Sequence, residues 1–262
     1  MTYGGFYISK NAGNNKFAYQ KRKESNIRPE IFVPELKKVP ADIEIIKDSF
    51  MQGNRTAFAE YDEENQRLIE CKGLENFLYF ELGEKKIHIF DNHNHAFYFV
   101  AENFDGEIMP MLHFDQHKDM RKPDMLYREF VRSEKTDFYS SKAKSDYTNY
   151  VLNVGNFIEP LLRDDFISNV KIVDSSYSLA DVLSRDFYTK EYTDGLVLDI
   201  DLDFFSTDMD YIDAGLKLSA ISKAFSYAKT VTISTSPYFI EFERAGKYLF
   251  EILEIFLKIK QN

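Results

Sequence analysis

Two short stretches of this sequence gather the side chains that hold metals and move protons. The first, His113-Phe-Asp115-Gln-His117-Lys-Asp119, follows the apolar run Ile108-Met-Pro-Met-Leu112. Side chains two apart share a face of an extended chain, so His113, Asp115, His117 and Asp119 are predicted to converge where a strand leaves its sheet. The second, Gly195-Leu-Val-Leu-Asp199-Ile-Asp201-Leu-Asp203-Phe-Phe205, puts its carboxylates on one face of a strand whose other face is apolar. An exposed edge strand would also alternate, but Ile200 and Leu202 between the acids argue for an internal strand. Neighbouring carboxylates repel in a low-dielectric interior, and a divalent cation is the usual compensation. A third stretch, Asp91-Asn-His93-Asn-His95, leaves the strand Ile87-His-Ile-Phe90 and holds two of the five histidines, so a ligand role is expected there.

Mixed imidazole and carboxylate ligands suit Mn(II), Fe(II), Co(II) or Zn(II), whereas Mg(II) and Ca(II) prefer oxygen alone. The number of such side chains exceeds what one tetrahedral zinc takes, and two ions bridged by carboxylates fit better. The chemistry of such a pair is hydrolysis by an acidified water.

These residues need a frame that places strand ends side by side. Apolar strands at Met109–Phe114, Val170–Val173, Leu196–Ile200 and Thr230–Ser234 alternate with segments that can hold helices. The spacing predicts a helix over 212–229 with Ile212, Leu216, Ala220 and Phe225 on one face, and a long amphipathic helix from Glu241 to Lys260. Such alternation predicts an α/β fold with a largely parallel sheet and helices on both faces. Ligands then sit at the carboxyl ends of the strands. Residues 1–40 are polar and punctuated by Gly4-Gly5, Gly13-Asn14-Asn15, Pro29, Pro34 and Pro40, which reads as an irregular arm, mobile at its start. A short helix at 41–50 and strands or hairpins from Ala57 to Phe90 follow. The expectation is one domain over 1–262, with residues 1–80 as an N-terminal elaboration and 87–241 as the metal-binding core.

Composition narrows the function. A net charge of −10 without a basic block argues against nucleic-acid binding. Lys21-Arg22-Lys23 and Arg121-Lys122 read as solvated surface. The single cysteine, Cys71, excludes an intrachain disulfide and reads as a small half-buried residue rather than a nucleophile. The sequence shows no signal-peptide pattern and no apolar run long enough for a bilayer, so no membrane association and a cytoplasmic location are expected. An oligomer is compatible with all of this.

With these residues in hand, the sequence resembles the arginase/ureohydrolase superfamily. Its members carry a His after one strand, Asp-x-His-x-Asp after a second and Asp-x-Asp after a third, holding two manganese ions in a three-layer α/β/α fold. His93 matches the lone His, Asp115, His117 and Asp119 match Asp-x-His-x-Asp without a gap, and Asp199 and Asp201 match Asp-x-Asp. Asp203 is extra, so Asp201 and Asp203 form an alternative register; otherwise Asp203 stands among the catalytic groups. The likeness runs from about Ile87 to Glu241. The texture Leu-Asp-Ile-Asp-Leu-Asp-Phe-Phe-Ser, with Ser234-Thr-Ser-Pro-Tyr-Phe-Ile-Glu241, is similar to the peptide arginases that convert arginine in ribosomally made precursor peptides to ornithine.

The departures bear on the substrate. Arg121 stands where free-arginine enzymes carry an Asn that reads the amino acid's carboxylate, and residues 120–165 lack the proton-shuttling His. Ser234 falls near the place of the Glu that grips the guanidinium, Ser236 lies beside it, and Glu241 is the nearest carboxylate downstream. The resemblance therefore implies two Mn(II) per chain, Glu241 as the guanidinium-orienting group, and Arg121, Ser234 and Ser236 as substrate contacts. The implied substrate is an arginine-containing precursor peptide, giving ornithine and urea. Competing readings are a single-zinc deacetylase-type amidohydrolase on the same fold, a phosphoesterase, and a non-catalytic arginase-like binding protein.

Overall fold

The computed structural model describes residues 2–28 and 30–259, so Pro29 and the expected helix end at Lys260 lie outside the described residues. The first half of the chain is mostly strand: β1 (Phe6–Ile8), β2 (Ile31–Val33), β3 (Leu36–Lys38), β4 (Gln52–Asp62), β5 (Arg67–Leu74), β6 (Phe77–Leu82) and β7 (Lys85–Phe90). Helices α1 (Tyr19–Glu24) and α2 (Ile43–Ser49) interrupt them, the latter started by Asp42, whose carboxylate accepts the Glu44 and Ile45 N–H groups. From α3 (His95–Asn103) the rhythm changes to β8 (Met109–Phe114), α4 (Tyr127–Glu134), α5 (Ser141–Tyr150), α6 (Ile158–Arg163), β9 (Ile167–Val173), α7 (Ser176–Leu183) and α8 (Lys190–Thr193). The chain closes with β10 (Leu196–Asp201), α9 (Ala214–Phe225), β11 (Ala228–Ser234) and α10 (Phe242–Ile259).

One seven-stranded sheet, in the order β3-β6-β7-β11-β10-β8-β9, organises these elements. From β7 to β9 every pairing is parallel, and only the β6–β7 hairpin is antiparallel. The steps β7 to β8 and β8 to β9 run one way along the sheet, whereas β9 to β10 and β10 to β11 run back. Right-handed crossovers therefore place α3 to α6 on one face and α7 and α9 on the other, where α10 packs against α9 and α2. The result is the expected layered α/β fold with a largely parallel sheet. Neighbouring β8 and β10 send their chains to opposite faces, which opens a crevice at their carboxyl ends.

The strands are central because their residues are mostly apolar and buried, as Leu196, Val197, Leu198 and Ile200 of β10 are. Rings fill the layer above them, with Phe97 of α3 within 5.4 Å of Tyr127, 5.0 Å of Tyr147 and 5.8 Å of Phe166. Each such ring stabilises the fold by roughly 1.5–3 kcal/mol on burial.

Two expectations are corrected. Leu216 is 51% exposed, because the buried stripe of α9 runs through Lys217, Ala220, Ile221, Ala224 and Phe225. The helix turns a lysine inward, and its Nζ donates to the carbonyls of Phe204 and Met209 at 2.7 and 2.8 Å. Arg22 is buried rather than solvated. It pairs with Glu70 at 2.5 Å and donates to the carbonyls of Arg28 and Glu30, which ties the N-terminal arm to the β4–β5 hairpin. That arm is β1 paired with β2, fixed further by Tyr3, whose hydroxyl lies 2.7 Å from His95 Nδ1.

Candidate metal centre

His93 lies in the turn between β7 and α3, and its ring is caged by carboxylates. Its Nδ1 is 3.1 Å from Asp115 Oδ2, 3.1 Å from Asp119 Oδ2 and 3.0 Å from Asp201 Oδ2. The ring of His117 forms a second focus, with Nδ1 3.3 Å from Asp115 Oδ1 and 2.9 Å from Asp203 Oδ2. Asp115 thus turns one oxygen toward each imidazole. All of these side chains are buried except His117, which is 41% exposed on the cleft side.

The turn after β8, not an extended run, produces this convergence. The strand ends at Phe114, Asp115 Oδ1 accepts the His117 N–H at 2.5 Å, and Asp119 adopts φ +48°. A left-handed aspartate costs energy and is held only by its surroundings. Ser236, also left-handed at φ +40°, donates its hydroxyl to Asp201 Oδ2 at 2.5 Å. Lys217 fixes the segment that carries Asp203 through the Phe204 carbonyl.

The strand register decides which acids face the foci. Asp199 is level with His113, and Ile200 with Phe114, so Asp201 is level with Asp115. Asp199 lies one layer deeper. Its Oδ2 is 2.9 Å from His93 Nε2 and 2.7 Å from His113 Nδ1, and its Oδ1 accepts the Thr232 hydroxyl at 2.5 Å. Every side of that carboxylate is engaged. His93, His113 and Asp199 themselves form a group able to hold an ion, and in this arrangement Asp199 also meets the far nitrogen of His93, as carboxylates do behind metal-bound histidines. Asp203, expected as an extra acid, takes the place facing His117.

The donor set fits a pair of divalent cations. His93 Nδ1, Asp115 Oδ2 and Asp203 Oδ2 are buried and make no hydrogen bond, an arrangement that costs free energy unless something else meets them. They point at one another in overlapping groups able to hold an ion, His93–Asp115–Asp201 and Asp115–His117–Asp203 among them. The proton affinities agree. Burial opposes protonation of His93, but Asp199, Asp201, Asp115 and Asp119 together raise it well above the imidazole range. The adjacent Asp115 and Asp203 carboxylates, which favour its protonated form, push His117 up to about 11. Burial, then the charges of Asp201 and Asp115, hold Asp203 well above the carboxylate range. The cluster is starved of positive charge, and protons partly supply it.

A cleft of about 630 Å³ opens over His93, His117, Asp119 and Asp201. Arg121 lines it. Its other walls come from Asn14 and Phe17 of the arm, Tyr238 and Phe239 of the Ser234–Glu241 motif after β11, and Phe58 and Glu60 of β4, the one part the sequence did not connect with the site. The hairpin docks close because Gly73 lets β5 pass Asp91, where a Cβ would meet the carboxylate at 2.2 Å. Asp91 accepts the Leu74 N–H at 2.7 Å, and burial pushes its carboxyl up to about 7.

Several expected site residues lie elsewhere. Ser234 is buried and donates to the Asp91 carbonyl at 2.7 Å, so with Ser236 it supports Asp201 from behind rather than lining the cleft. Glu241 is exposed beside Cys71 and does not line the cleft. Burial, then Glu241 and Glu70, raise the half-buried Cys71 thiol to about 11, which keeps it protonated. His95 is not at the centre; burial lowers it to about 3, and it anchors Tyr3.

No protein-family model and no curated protein matches the chain. Among solved structures it is similar to the agmatine ureohydrolase of Thermoplasma volcanium, at 12% identity and a TM-score of 0.38, over 71% of this chain and 63% of that one. The arginase from Bacillus cereus matches at 14% identity and a TM-score of 0.37, over 70% of this chain and 71% of that one. The arginase from Bacillus subtilis matches at 11% identity and a TM-score of 0.36, over 70% and 72%. The chain thus spans less than two thirds of the agmatine ureohydrolase. At scores this low, the chemistry of the site rests on its own side chains.

Proposed function

We propose that the chain is a two-metal hydrolase of the arginase type, acting on the guanidinium of arginine side chains within a peptide and releasing urea to leave ornithine. The observation that carries this is the placement of Asp115, whose two oxygens lie 3.1 and 3.3 Å from the Nδ1 atoms of His93 and His117. In this reading His93, Asp119 and Asp201 would hold one Mn(II), His117 and Asp203 would hold the other, and Asp115 would offer an oxygen to each. Two such ions supply positive charge that brings a water's pKa near neutrality. Four carboxylates facing two imidazoles are more than a single-zinc amidohydrolase needs.

The protein's own groups do the rest. Asp199 holds the His93 ring by its far nitrogen, so Nδ1 stays aimed at Asp115, Asp119 and Asp201. Phe58, Tyr238 and Phe239 line the cleft and displace water around the alkyl stem of an entering side chain. Addition of water at the guanidinium carbon and cleavage of its bond to the side-chain nitrogen balance as urea plus a primary amine. The breadth of the cleft and Arg121 at its rim favour a peptide over free arginine.

Mass spectrometry of an arginine-containing peptide incubated with Mn(II)-loaded protein tests this. The expected result is a loss of 42 Da with urea in solution, the conversion of arginine to ornithine by about one amidine unit. Loaded protein that leaves both the peptide and free arginine intact would remove the arginase claim.

A further inference from the structure

We propose that Glu60, on the N-terminal hairpin, receives the cationic head of the substrate side chain, with Phe58 and Tyr238 bearing its stem. The inference deepens the hydrolase reading and rests on it for the identity of the cation, a guanidinium. Phe58 and Glu60 share one face of β4, alternating with Ala57 and Ala59, which are buried at 2% and 1% exposure. Both line the cleft above the metal centre. The Phe58 ring lies 5.1 Å from that of Tyr238, and Glu60, two residues along β4 from Phe58, lines the same cleft. Aromatic rings and a carboxylate suit a planar, delocalised cation better than a hydrated point charge.

Glu60 is available for this. Its Oε1 accepts the Tyr61 N–H at 2.8 Å, and among the described residues no cationic side chain pairs with it. Lys118 and Arg121 line the same cleft without neutralising it. A carboxylate kept unpaired in a partly enclosed, aromatic-walled cleft gains most from a cationic ligand. Glu241, the acid expected from the sequence, lies outside that cleft.

The test separates recognition from turnover. Two capped pentapeptides, one with a central lysine and one with a central norleucine, are inert to hydrolysis and differ in charge. Calorimetry on Mn(II)-loaded wild type is expected to show the lysine peptide binding roughly 10- to 100-fold tighter, the range of a charge-assisted contact. Glu60→Gln keeps the acceptor for Tyr61 N–H and removes only the charge. It should erase the preference and leave the norleucine peptide's affinity unchanged, which also shows that the variant is folded. A preference that survives Glu60→Gln, one lost in Glu241→Gln instead, or none in the wild type overturns the assignment. Urea release from the arginine version is read separately: preference without urea would sink the hydrolase reading and leave Glu60 in place.

Discussion

Asp199 and Asp203 stand at opposite ends of one acidic run and meet different chemistry. Asp199 is saturated by His93, His113 and Thr232, whereas Asp203 turns an unbonded oxygen toward His117. Replacing Asp203 by Asn should remove one Mn(II) and leave the His93 half able to bind the other, read as a drop in stoichiometry on equilibrium dialysis. Replacing Asp199 by Asn should leave both ions binding but weaken them by roughly 10- to 100-fold, the usual effect of losing a carboxylate behind a metal-bound histidine. Loss of both ions in Asp199→Asn, with none lost in Asp203→Asn, would restore the Asp199/Asp201 register. The convergence of these acids was legible from their spacing. Their depth was not, because alternation puts Asp199, Asp201 and Asp203 on one face alike, whereas the register of β10 sets Asp199 level with His113 and a turn beyond the strand carries Asp203.

The strands and helices that hold the centre were legible where periodicity was strong. The parallel strands from β8 to β11 and the helix α10 follow from apolar runs and a heptad-like stripe. Lys217 shows the limit: the buried stripe of α9 was read through Leu216, but it runs through Lys217, whose Nζ meets the carbonyls of Phe204 and Met209. Lys217→Met should cost roughly 1–3 kcal/mol by removing the donor to the buried Phe204 carbonyl, and should weaken the Asp203 half of the centre more than the His93 half. Denaturant unfolding and a Mn(II) titration check the two parts; an unchanged midpoint would deny the clamp. The contact between α3 and the arm gives a pH test. Burial lowers His95 to about 3, and its neighbours are Tyr3, Phe77 and Phe90 rather than a charge. Below the unfolded value near 6.5 the unfolded chain takes a proton that the folded ring refuses, so stability falls with pH. Relative to His95→Gln, the wild type should lose about 1.4 kcal/mol per pH unit between roughly pH 6 and 4. Parallel curves for the two proteins would show that His95 is not held neutral.

Taken as a whole, the chain is a parallel sheet whose carboxyl ends carry the candidate centre, with an N-terminal half that does more than decorate it. The β3 and β6 strands extend the central sheet, and β4 walls the cleft. Strands or hairpins were expected here, but their docking was not readable, because it depends on distant contacts such as Gly73 against Asp91 and Arg22 against Glu70. Among the described residues no helix is long and apolar enough to cross a membrane. Ions that bind only the folded chain should stabilise it by about 2.7 kcal/mol at a free concentration of 100 times Kd, and a chelator should reverse the gain. Lowering the pH should weaken them, since protons compete for His93 and His117, whose raised affinity must be overcome. The most direct test of the centre is a Mn(II) titration of metal-free wild type by calorimetry, with bound metal counted per chain. Two ions per chain, the second lost in Asp203→Asn, is the predicted result. A single ion, or none, would contradict the two-metal centre built on Asp115.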